Sequence, residues 1–96
     1  MANALVSIQI IPKTPNGEDT IPFVDDAIAI IEASGVKYQV NPLETTMEGK
    51  LSVLFNIIEK MNEEMTQSGC LSVISQIKVF YKPDGASMDE LTEKYR

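Results

Sequence analysis

The side chains able to do chemistry in this sequence are few. There is no histidine and a single cysteine, Cys70. A thiolate there has no imidazole to activate it, so a Cys–His nucleophile is impossible. One sulfur without an imidazole is also a poor start for a zinc site. No carboxylates pair at a spacing that suits acid–base work, which argues against an enzyme. What remains is a set of hydroxyl, amide and carboxylate groups on strand-like segments. Ser7 and Gln9 stand in LVSIQII, and Thr45, Thr46 and Glu48 stand in the stretch Tyr38–Gly49, YQVNPLETTMEG. Such groups suit hydrogen bonding to a bound molecule.

The elements that must position them are readable from periodicity. Ala4–Ile11 alternates, with Ala4, Val6, Ile8 and Ile10 on one face and Leu5, Ser7, Gln9 and Ile11 on the other. Period two with β-branched residues predicts a strand, which Pro12 should end. Val24, Ala27, Ile28 and Ile31 then recur at helical spacing behind Thr20 and Pro22, a cap and a first-turn proline, and Ser34–Gly35 closes that helix. A second strand covers Val36–Asn41. Thr45–Gly49 admits two readings: a capping box, Thr45-x-x-Glu48, or a short third strand. The strand is favoured, because capping at Thr45 would put Gly49 inside the next helix at a cost of roughly 1 kcal/mol. That helix carries Leu51, Leu54, Phe55, Ile58, Met61 and Met65 on one stripe and stops at Gly69. Leu71–Lys82 reads as the longest strand, presenting Ser72, Ile74, Gln76, Lys78, Phe80 and Lys82 on one side. Ser87-x-x-Glu90 opens a short last helix as a capping box.

Ninety-six residues that are 44% hydrophobic, with no tryptophan, make one domain, 1–96, with a mostly aliphatic core. The net charge of −6 disfavours a nucleic-acid partner and is mildly favourable to a cationic small ligand. No stretch is long and apolar enough to span a bilayer, and the N-terminus lacks the features of a signal peptide. The lone cysteine fits a reducing compartment, so a cytoplasmic location is expected.

The order β-α-β-β-α-β plus a C-terminal helix predicts an α+β, ferredoxin-like fold, with an antiparallel sheet and both helices on one face. The opposite face then gathers Leu5, Ser7, Gln9, Ile11, Thr46, Glu48, Ile74, Gln76, Lys78 and Phe80. A face so mixed is expected to be a subunit interface, a ligand site or both.

The element order, Ser34–Gly35 before Val36–Lys37–Tyr38, Pro42-x-x-Thr45-x-x-Glu48–Gly49, the Gly69 stop, Ile77–Lys78–Val79 and Ser87–Met88 together resemble the small thiamine-binding protein family over roughly Leu5 to Tyr95. The sequence departs from the family pattern at Leu71–Ser72, where an arginine is frequent, and at the aromatic strand end Val79–Phe80–Tyr81–Lys82. The resemblance implies a homodimer or homotetramer built through sheet faces and edges, and non-catalytic binding of thiamine or hydroxymethylpyrimidine near a subunit interface. That ligand would be the only small molecule, with no further cofactor, no metal and no membrane partner. Its expected site draws on Ser7, Gln9, Thr45, Thr46 and Glu48, with Phe80 or Ile74 as an apolar wall. The competing expectation is a small regulatory or interaction module that uses the same open face for a protein partner or another metabolite.

Overall fold

The structure, a computed structural model, describes residues 2–95. Strand β1 (Ala4–Lys13) leads through a 3-10 turn at Pro15–Gly17 into helix α1 (Ile21–Ser34). Strands β2 (Lys37–Val40) and β3 (Thr45–Gly49) form a hairpin, followed by helix α2 (Leu51–Gln67), strand β4 (Ser72–Tyr81) and helix α3 (Met88–Thr92). The sheet is antiparallel throughout with order β2-β3-β1-β4, the ferredoxin-like arrangement.

One core lies between the sheet and the first two helices. Ala4, Val6, Ile8 and Ile10 of β1 and Met47 of β3 meet Ala27 and Ile31 of α1 and Leu54, Ile57, Ile58, Met61 and Met65 of α2. The apolar face of the central strand is thus sealed, as its alternation requires.

Several local features differ from expectation. Pro12 does not end β1, which pairs with β4 through Lys13↔Ser72. β3 accompanies β1 only as far as Ile8, so beyond that point one side of β1 is an edge, where proline's missing N–H removes no ladder bond. On α2, Ile57 is buried while Phe55 remains 43% exposed. Asn62, two turns beyond Phe55, accepts a 3.1 Å bond from Ser75 of β4, which accounts for a serine midway along that strand's helix-facing side. The α1 N-terminus is bonded by Asp19, whose Oδ1 accepts the Ile21 N–H, and the Thr20 hydroxyl plays no part. Gly35 ends α1 in the left-handed region at φ 80°, where a side chain would be strained.

The hairpin reading of Thr45–Gly49 holds. Helix α2 is capped from a distance instead: the Leu51 N–H donates to Asn3 Oδ1 at 3.0 Å. Gly49 also has a packing reason, because a Cβ there would lie 3.2 Å from Leu54 Cδ2.

Candidate functional site

The open face of the sheet is best read as rows across the strands, since registered neighbours project to the same side. The first row is Lys37–Glu48–Leu5–Phe80, the second Gln39–Thr46–Ser7–Lys78, the third Gln9–Gln76, and the last Ile11–Ile74. Chemistry therefore changes along the face, from mixed to wholly polar to apolar.

The first row is covered by the chain's own C-terminal segment. Ala86 and Met88 bury Leu5 to 7% exposure. Glu48 Oε1 accepts the Met88 N–H at 2.8 Å, and Lys37 pairs with Asp89. Ser87 caps α3 as its motif predicts, its Oγ accepting the Glu90 N–H at 3.3 Å. The reciprocal bond, however, comes from Glu48 rather than Glu90, and it goes to Met88. Glu48 thus anchors a helix, and Leu5 is unavailable to a partner. Phe80, at the far end of this row, stays 44% exposed.

The second row holds the feature that most needs a ligand. Ser7 is 92% buried, and its Oγ is the one enclosed side-chain polar atom among the described residues without a well-aligned hydrogen bond, the Glu44 carboxylate being only a loose neighbour. Buried hydroxyls nearly always find one. Beside it stands Glu44, on the β2–β3 turn that the Asn41 N–H closes by donating to the Glu44 carbonyl at 3.0 Å. Glu44 Oε1 accepts from Lys78 Nζ at 3.0 Å. That ammonium, and next the Ser7 hydroxyl, hold the Glu44 carboxyl below its usual range, so it is a dependable anion.

A shallow pocket of about 360 Å³ adjoins this pair, bounded by Gln9, Gln76, Leu43, Glu44, Ile77 and Lys78. Its polar equipment is one carboxylate, one ammonium and two primary amides. That set can donate to ring nitrogens and accept from an exocyclic amine.

The expected site residues therefore separate. Ser7, Gln9 and Thr46 lie together on the second and third rows, while Glu48 and Phe80 belong to the first. Thr45 projects to the other side, because it pairs with Ile8, a core residue. There it lines a second cavity of about 290 Å³ between the hairpin and the start of α1. Glu44 was not anticipated: it sits in a turn, where alternation says nothing about direction. Gln76 and Lys78 carried a signal, since their period places them opposite Gln9 and Ser7. Among the described residues no group of three or more His, Cys, Asp or Glu is placed to hold a metal, and no helix is long and apolar enough to cross a membrane.

Comparison with known proteins adds to this geometry. Residues 6–96 match the profile of the family described as "Thiamine-binding protein". The UPF0045 protein CPE1503 of Clostridium perfringens is 44% identical over 91 residues, 95% of each chain. A domain of unknown function from Bacillus cereus superposes with a TM-score of 0.91 at 34% identity, over 99% of this chain and 92% of that one. A candidate thiamine biosynthesis/salvage protein from Thermotoga maritima gives 0.85 at 28% identity, over 98% and 99%.

Proposed function

The chain belongs to the thiamine-binding protein family, and from that membership we propose that it binds thiamine, or the aminopyrimidine half of thiamine, without transforming it. The binding place is the pocket on the open sheet face. The observation that carries this reading is the anionic Glu44 carboxylate, paired with Lys78 and set beside the sealed Ser7 hydroxyl, which has no well-aligned partner of its own. The pyrimidine amine donates to the Glu44 carboxylate, displacing Lys78. A ring nitrogen accepts from the amide of Gln9 or Gln76. Ser7 supports the Glu44 carboxylate from beneath, and the thiazolium cation is favoured by Glu44 and by a chain of net charge −6.

The pocket is open on its outer side, and exposed Ile11, Ile74 and Phe80 flank it on the same face. A second copy meeting this face would close the pocket, which supports a site near a subunit interface.

Calorimetry with thiamine and with hydroxymethylpyrimidine tests the proposal. The wild type is expected to give saturable heat, and Glu44→Gln to weaken binding about ten- to a hundredfold, as for loss of a charge-assisted hydrogen bond. No heat with either compound removes the function; unchanged affinity in the variant removes this pocket from it.

A second reading rests on β4. Among the described residues its outer edge has no strand partner, and Ile74, Ile77, Val79, Phe80 and Tyr81 are exposed along it. Such an edge suits an interaction module that takes a protein segment by strand addition. A thermal-shift panel of cofactors separates the two, because only a small-molecule binder responds.

A further inference from the structure

The pocket on the open face contains its own cation. Of the residues that bound it, Glu44 is the only carboxylate and Lys78 the only ammonium, and the two are bonded to each other at 3.0 Å. Lys78 stands on β4 in register with Ser7 of β1, whereas Glu44 stands on the β2–β3 turn. The pair therefore bridges β4 and the hairpin across the central strand, where a ligand amine must come to reach the carboxylate. Both side chains are partly in water, Lys78 at 77% exposure and Glu44 at 32%, so the bond is of the weak, exchangeable kind. In the adjoining row the charged groups are engaged elsewhere: Glu48 accepts the Met88 N–H, and Lys37 pairs with Asp89.

Resting on the reading that the aminopyrimidine amine goes to Glu44, we infer that Lys78 is a built-in competitor for that carboxylate and sets how the pocket ranks cationic and neutral ligands. Its ammonium offers Glu44 the N–H donors that a ligand amine offers, and adds a full positive charge. Every ligand must therefore break an ion pair to make its own bond. The ammonium also partly offsets the pull of Glu44 on a cation such as the thiazolium, a loss that a neutral pyrimidine does not feel. Gln9 and Gln76 serve a ring nitrogen without help from the ammonium, which leaves competition as the contribution of Lys78. A direction for the salt effect follows. Salt screens the Glu44–Lys78 pair and makes it easier to break, so a neutral ligand binds more tightly as ionic strength rises. A site that joins opposite charges behaves in the reverse sense.

Calorimetry on the full chain at about 0.01 M and about 1 M salt, where screening is weak and then strong, tests this. Hydroxymethylpyrimidine in its neutral form is expected to bind the wild type about two- to threefold more tightly at high salt, and to bind Lys78→Met equally at both. At low salt Lys78→Met is expected to strengthen hydroxymethylpyrimidine up to about fivefold, the span of an exposed ion pair, and thiamine by a larger factor. Lys78→Arg keeps the charge and is expected to match the wild type. Four results would each overturn the inference while leaving the binding reading in place. They are an unchanged or weaker affinity in Lys78→Met, equal gains for the two ligands, a gain in Lys78→Arg as large as in Lys78→Met, and a wild-type affinity for the neutral ligand that does not rise with salt. No heat from either ligand with any of the three proteins removes the binding reading and this inference with it.

Discussion

A hydroxyl sealed from water without a partner costs roughly 1–3 kcal/mol, and Ser7, whose one neighbour Glu44 is poorly aligned with it, carries part of that cost. Removing the oxygen should therefore help the fold. Ser7→Ala is expected to raise the unfolding free energy by about 1 kcal/mol while weakening thiamine binding. Urea denaturation and calorimetry read the two effects; a gain in stability with unchanged affinity would make Ser7 a packing residue only. Glu44, beside it, titrates below its ordinary value of 4.5 because of Lys78 first and Ser7 second. A carboxyl lowered in the folded state adds stability above its unfolded pKa, and that contribution fades as pH falls through the lowered value. Lys78→Met removes the larger cause, so the Glu44 midpoint should move up toward 4.5. Carbon-13 NMR of the Glu44 carboxyl follows this directly, and a midpoint that does not rise would break the pairing.

At the scale of elements, the short helix α3 depends on one bond from the sheet. Glu48 takes the Met88 N–H that no residue of α3 can serve. Glu48→Ala is expected to cost about 1 kcal/mol, the usual value of a lost cap, and to speed amide exchange over Met88–Leu91. Thiamine affinity should hold, since Glu48 sits in the row that α3 covers; a lost affinity would return Glu48 to the site. The regular elements were legible because each shows its period. The four strands, the two long helices and the hairpin all follow from spacing, from Gly35 and Gly69, and from the cost of Gly49 inside a helix. Contacts between distant segments were not. Asn3 capping α2 and Glu48 completing the Ser87 motif join residues far apart in sequence. The persistence of β1 past Pro12 depends on where β3 stops, which no local pattern encodes. Within the site, strand residues could be assigned to a face but Glu44 could not, because a turn has no alternation.

For the whole molecule, the decisive asymmetry is between the two ends of the sheet. β2, one outer strand, is four residues long, whereas β4, the other, runs for ten with apolar side chains on both faces. A long exposed edge of this kind is a template for pairing with another chain. Light scattering is expected to give at least twice the 10.6 kDa of one chain, and Val79→Lys to lower the mass toward the single chain. A wild type that stays at 10.6 kDa would show that the edge is tolerated unpaired.

The central position of β1 also has a consequence for how the protein is made. Ala4–Lys13 is synthesised before the other three strands, yet one of its two neighbours, β4, is the last strand of the sheet to be made. The residues that cover Leu5, Ala86 and Met88, come later still. Until β4 and the segment behind it are made, the central strand is therefore present with an unfilled edge and a bare face, the condition under which nascent chains aggregate or recruit chaperones. This sheet cannot close in the order in which its strands are made: the first of the four is the last to be enclosed.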